Sequence, residues 1–243
     1  MARRFALFIA FLLAACATAN PPPLNPLSQP TGWKAVLIAG DNAEPAFDNA
    51  VDAMAEKLGG YGLRPDDIVA LKASGTGSGA ATAPNIIGAF DALEPSQSEG
   101  CFVFITSHGG PGRGLIMKAA QSFLTPDNLN DLLNKHCAGR PTVVIASGCF
   151  SGIFAGGSSM PAANRTILTA ARNDRTSFGC NASRRLTVFD ECVLDNLDRG
   201  QPWQAVMEKT RACVTRYENE ASVSPPSEPQ IYVGRNVEGQ LAF

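Results

Sequence analysis

Cys101-Phe-Val-Phe-Ile-Thr-Ser-His108-Gly109-Gly110 and Thr142-Val-Val-Ile-Ala-Ser147-Gly-Cys149-Phe-Ser-Gly152 follow one pattern. Each is a short apolar run that stops at a small-residue turn bearing a reactive side chain. A continuous apolar run of this length is a strand buried on both faces, as in a parallel sheet. In an open parallel sheet the turns at the carboxyl ends of the strands are where ligands bind. A His and a Cys placed there are the two parts a cysteine nucleophile needs.

Working outward, strands alternate with helices. Lys34 to Ala39 is a buried strand ending at Gly40-Asp41-Asn42. The helix after it carries Phe47, Val51, Met54, Ala55 and Leu58 on one face and stops at Gly59-Gly60. Asp67 to Lys72 contains a second strand. Residues 73–83 are rich in Gly, Ser and Thr but lack the Gly-Lys-Ser/Thr ending of a phosphate cradle, so they read as a surface loop. Pro84 opens a helix with Ile86, Ile87, Phe90 and Leu93 inward. Phe102–Thr106 is the third strand. Thr125-Pro126-Asp127 starts a helix whose Leu129, Leu132 and Leu133 face the core. Val143–Ala146 and Arg165–Ala170 are the fourth and fifth strands. Helices over Val188–Leu197 and Pro202–Glu220 follow, and Gln230–Gly234 is a sixth strand. Such alternation predicts an α/β domain with a mainly parallel, about six-stranded sheet and helices on both faces.

The ends of the 243-residue chain carry other information. Arg3 and Arg4 precede an apolar core, Phe5–Ala15, too short to span a bilayer as a mature helix. It ends in Leu13-Ala14-Ala15-Cys16, the pattern of a bacterial lipoprotein signal with Cys16 as the acylated first residue of the mature chain. The competing reading is an ordinary secretory signal cut after Ala15 or Ala19. Ala17, where an Asp would favour inner-membrane retention, points to an outer-membrane anchor facing the periplasm if the source is Gram-negative. Residues 17–31 contain five prolines, so residues 16–31 read as an extended tether of ~40 Å at roughly 3 Å per residue. Residues 32–243 are left as one domain with a sizeable core. The net charge of −2 becomes −4 once residues 1–15, with two arginines and no acids, are removed. There is no basic run, so nucleic acid is not an expected partner; a peptide or protein substrate and the membrane are.

Of seven cysteines, setting aside Cys16 and Cys149 leaves Cys101, Cys137, Cys180, Cys192 and Cys213. An exported compartment permits disulfides; an odd number leaves one thiol over. Cys101 with Cys137, and Cys180 with either Cys192 or Cys213, are the pairings entertained. With no CxxC and two histidines, a zinc site is not expected.

The thiolate is the nucleophile, and a neighbouring imidazole lowers the thiol pKa or carries its proton. Cys149 lies between Gly148 and Phe-Ser-Gly152, which suits a tight, exposed turn better than the core position of most free cysteines. His108 precedes Gly109-Gly110-Pro111-Gly112, which leaves the next backbone amides available to a developing oxyanion, with the Cys149 amide as second donor. His136 sits at a helix end, where a partly charged imidazole complements the dipole, and needs no catalytic role.

At these residues the chain resembles the legumain (asparaginyl endopeptidase) family, in the caspase-like superfamily of cysteine peptidases. Val36-Leu-Ile-Ala-Gly40 resembles the family's first strand, Phe104-Ile-Thr-Ser-His108-Gly109 its catalytic-histidine strand, Val144-Ile-Ala-Ser-Gly-Cys149-Phe-Ser-Gly152 its nucleophile strand, and Thr169-Ala-Ala-Arg-Asn-Asp-Arg-Thr-Ser177 its next strand and loop. The likeness runs from Trp33 onward. It implies a three-layer α/β/α sandwich, a His108–Cys149 dyad, an oxyanion site from the amides of Gly109 and Cys149, and no cofactor. Legumains have acidic residues where this chain has Ser147 and Phe150, and an arginine after the first strand where this chain offers Asp41, Asn42 and Asp48. Asn preference is therefore not carried over. Asp41, Asp48, Ser147 and Asp174 are the candidate pocket residues, with Asp48 or Asp174 favouring a basic residue unless they are merely solvated or capping acids. The family's C-terminal regulatory domain has no counterpart, so activity would be controlled otherwise. A catalytically degenerate binding module and a transpeptidase are the alternative functions.

Overall fold

The computed structural model describes residues 25–179 and 184–243; the signal, Cys16 and Cys180 lie outside them. In chain order the elements are β1 (Gly32–Ala39), α1 (Pro45–Gly60), β2 (Ile68–Lys72), α2 (Ala83–Asp91), β3 (Glu99–Thr106), β4 (Gly109–Gly110), β5 (Gly114–Met117), β6 (Ser122–Leu124), α3 (Pro126–His136), β7 (Thr142–Ser147), β8 (Arg165–Thr169), α4 (Val188–Asn196), α5 (Trp203–Glu220) and β9 (Gln230–Val233).

Six strands form the main sheet in the order β2-β1-β3-β7-β8-β9. The first five are parallel, and β9 pairs antiparallel with β8. Period-two alternation sends Leu37, Phe102, Phe104 and Ile145 to one face, where they pack with α1, α4 and α5. Ile38, Val103, Ile105 and Val144 go to the other face, against α2 and α3. The result is the expected three-layer α/β/α sandwich. Both faces are covered, which is why these strands read as unbroken apolar runs.

Helix starts obey local rules. Thr82, Thr125 and Thr187 each accept a backbone N–H three residues on, capping α2, α3 and α4. Arg165, 1% exposed at the start of β8, donates to Asn130 and Asn134 of α3 and to the Met160 carbonyl, tying that helix to the sheet.

Several expectations are corrected. Ile87 is 49% exposed on the outer side of α2, not inward: it directly follows buried Ile86, a step of about 100° around a helix. Residues 27–31, read as tether, are bound to the domain. The Leu27 N–H donates to the Asn236 carbonyl, and the Gln29 side chain bonds the backbone of Leu241. The small antiparallel sheet β4-β5-β6 had no counterpart in the sequence reading. Cys101 pairs with Cys137, as entertained, whereas Cys192 pairs with Cys213, so neither is the partner of Cys180.

Candidate active site

The register of β3 against β7 sets Thr106 beside Ser147. The ladder runs one step further, with the Ser107 N–H donating to the Ser147 carbonyl at 3.0 Å. One residue beyond Ser107 comes His108; two beyond Ser147 comes Cys149. Two separate sequence segments are thus brought together at the carboxyl edge of adjacent central strands.

Glycine makes this approach possible. A Cβ on Gly109 would lie 1.8 Å from the Cys149 carbonyl oxygen and 3.2 Å from its nitrogen. A Cβ on Gly148 would lie 2.5 Å from the Ser107 carbonyl oxygen. Any side chain at either position would drive the two turns apart. The Cys149 N–H donates to no acceptor among the described residues, so it is free to serve a ligand.

The His108 ring is half-buried and packs edge-on against Phe47 of α1, centroids 5.1 Å apart at 80°. Phe47 belongs to the apolar face of α1, and its role as a wall for the imidazole was not visible in the sequence. Cys149 is half-buried and is the free cysteine among the described residues. Its Sγ lies 3.8 Å from the Ser177 carbonyl oxygen and 3.7 Å from the Ser177 hydroxyl. No hydrogen bond joins Sγ to His108 among the described residues. Such bonds are often long in the free enzyme and tighten once substrate is bound.

The turn after Cys149 is held in an unusual shape. Phe150 has φ of 59°, a left-handed conformation that costs a non-glycine residue on the order of 1 kcal/mol or more. Its N–H donates to the Arg175 carbonyl at 2.7 Å, and the Ser151 hydroxyl accepts the Ala171 N–H. The loop after β8 therefore clamps this turn and delivers Ser177 to the sulfur. Nothing in the sequence marks Ser177 as a neighbour of the sulfur, because the two lie 28 residues apart and meet only in the fold.

The candidate pocket residues fare differently. Asp41 lies at the same edge of the sheet as His108 and Cys149 but is 7% exposed. It caps the Ala43 N–H at 2.8 Å and lies 3.5 Å from Lys118 Nζ. Asp48, in the first turn of α1, accepts the Ser74 hydroxyl. Asp174 is bound by Arg172 at 2.5 Å and Arg175 at 2.8 Å; the Arg172 bond, with the charges of both arginines, lowers its pKa to about 2. Ser147 is 2% exposed, and its hydroxyl faces the buried carboxyl of Asp190, as do those of Thr106 and Thr187. These partners remove Asp174 and Ser147 as open receptors for a basic side chain.

His136 pairs with Asp91 at 3.1 Å, at the end of α3 that leads into the start of β7, at the opposite edge of the sheet from His108 and Cys149. A cavity of about 540 Å³ lined by Trp33, Asp67, Glu99 and Phe243 also opens at the strand starts, away from His108 and Cys149. No group of three or more His, Cys, Asp or Glu among the described residues is placed to hold a metal ion.

The mainly parallel six-stranded sheet, in the order β2-β1-β3-β7-β8-β9 with helices on both faces, is a caspase-like fold. The crystal structure of caspase-1 from Spodoptera frugiperda is similar over 98% of this chain and 96% of that one, with a TM-score of 0.64 at 14% identity; at that identity the likeness shows the fold. The model of the Peptidase C13 family, the legumain family, matches residues 78–208. The chain belongs to the Peptidase C13 family and is thereby a cysteine peptidase by class. No curated protein matches it.

Proposed function

We propose that the protein is a cysteine endopeptidase with Cys149 as nucleophile and His108 as acid and base. The observation that carries the reading is the convergence of His108 and Cys149 on adjacent strand ends, with Gly109 pressed against the Cys149 backbone. The Cys149 thiolate attacks the peptide carbonyl, and the oxyanion is met by the backbone N–H groups of Cys149 and Gly109. One such donor is typically worth about 3 kcal/mol of transition-state stabilisation. His108 gives its proton to the leaving amine, a thioester remains on Cys149, and water activated by His108 hydrolyses it. Phe47 holds the imidazole, and the 171–177 loop holds the sulfur.

The same reading places the enzyme outside the cytoplasm, acylated on Cys16. The two disulfides support this, because such bonds persist in oxidising compartments. Neither a basic nor an asparagine preference follows from the pocket residues.

The test is cleavage of a diverse fluorogenic peptide library by residues 25–243 and by their Cys149→Ala twin. Cleavage by the first alone is the expected result. Equal cleavage by both would show that Cys149 is not the nucleophile. Radiolabelled palmitate incorporation that is lost in Cys16→Ala tests the anchor.

A further inference from the structure

The small sheet β4-β5-β6 lies directly after His108, and the one-turn helix Ser151–Phe154 lies directly after Cys149. Between them is a groove of about 550 Å³, walled by Gly112, Arg113, Phe123, Asp127, Ile153 and Ser158. Both catalytic residues therefore lead into the same groove, one through each wall.

Its distance from the chemistry follows from successive contacts. Gly109 touches the Cys149 backbone. At the next residue, a Cβ on Gly110 would lie 2.7 Å from the Phe123 ring and 3.5 Å from Arg113 Cβ. The groove thus begins one residue from the oxyanion site. The other flank of Cys149 is the 171–177 loop, which touches the sulfur. A peptide lying across Cys149 then has one half along that loop and the other beside His108. The histidine must protonate the leaving amine, so the half beside it is the leaving half.

Arg113 is the distinctive chemical feature here. It is exposed, and its guanidinium carbon stands 4.3 Å from the centroid of the Phe123 ring. Arg172, Arg175 and Arg184 are all paired with carboxylates, whereas Arg113 pairs with none among the described residues. The guanidinium lies over the ring at a cation–π distance, and its N–H groups donate to no side chain or carbonyl among the described residues, which leaves them available to a carboxylate. The acid in the groove, Asp127, accepts the Ser159 hydroxyl at 2.6 Å from the first turn of α3.

We propose that this groove binds the leaving half of the peptide substrate and that Arg113 selects an aspartate or glutamate in the first two positions after the cleaved bond. The proposal rests on the peptidase reading above. It is tested with internally quenched peptides identical except for Glu or Lys at those two positions, cleavage sites being verified by mass spectrometry. The readout is the Glu-to-Lys ratio of kcat/KM within each protein, which does not depend on the fraction folded. In the wild type the ratio is expected to be about three- to tenfold in favour of Glu, the range for a partly exposed charge-assisted contact. It should fall to near one in Arg113→Ala and invert in Arg113→Glu. The same ratio in all three proteins, with cleavage intact, overturns the subsite and leaves the peptidase standing. Absence of Cys149-dependent cleavage of any peptide overturns both.

Discussion

Gly109→Ala is the sharpest perturbation the site offers. The added methyl would start 1.8 Å from the Cys149 carbonyl oxygen, with the Cys149 carbonyl carbon at 2.8 Å. An ordinary contact is about 3.5 Å or more, so one turn must retreat by roughly 1.5 Å. Both atoms are backbone, so no side-chain rotation relieves the clash. The displaced groups are the proposed oxyanion donors and the sulfur, and a 1 Å misplacement alone costs about 100-fold. The expected result is a fall in kcat/KM of at least about 100-fold, mostly in kcat because the transition-state oxyanion loses its donors. The assay is steady-state cleavage of the best library peptide. Circular dichroism and thermal melting run alongside it, to show that the sheet, whose β3 and β7 end before the change, is still formed. A Gly109→Ala protein with kcat/KM within threefold of wild type would refute the close approach of the two turns.

Further predictions follow from the core. Asp190 is fully buried, and burial raises its pKa against the opposing hydrogen bonds of Ser147, Thr106 and Thr187. A raised folded pKa means that the unfolded chain releases its proton first as pH rises. Stability then falls, by at most about 1.4 kcal/mol per pH unit, from the ordinary carboxylate range up to the folded pKa. Asp190→Asn should therefore gain on the wild type as pH increases, and denaturation curves with equal pH slopes would refute this. Arg165→Ala leaves Asn130, Asn134 and the Met160 carbonyl without their donor. A loss of about 3 kcal/mol is expected by chemical denaturation, and a loss under 1 kcal/mol would contradict the anchoring role. Replacing both Cys101 and Cys137 by Ser should cost about 2–4 kcal/mol, and reductant should then affect this variant's melting temperature less than the wild type's.

Much of this molecule is legible in one dimension, for identifiable reasons. The strands β1, β3 and β7 are buried on both faces over most of their length, so each contains an apolar run, and each run stops where Gly or a small polar residue interrupts it. The helices carry their caps and their inward stripe within a few residues. His108 and Cys149 stand out because each ends such a run, and strand ends are where a parallel sheet places its chemistry.

What stayed hidden depends on contacts between distant residues. The partners of Asp174 and Ser147 are the clearest case. A lone carboxylate in a sequence looks available, but Arg172 and Arg175 occupy Asp174, and Ser147 turns inward to Asp190 on a helix more than forty residues away. Phe47 against His108 and Ser177 against Cys149 join α1 to β3 and the loop after β8 to β7. The β4-β5-β6 sheet is a few residues per strand, too short for a period to register, and its groove exists only because it closes against the turn after Cys149. The sequence by itself determined the α/β sandwich and the sheet edge at which His108 and Cys149 fall, because buried strands and capped helices are set by local pattern. Only the tertiary structure decided which charges are neutralised, what holds the imidazole and the sulfur, and where a substrate has room, because those are properties of side chains that meet only after the chain has folded.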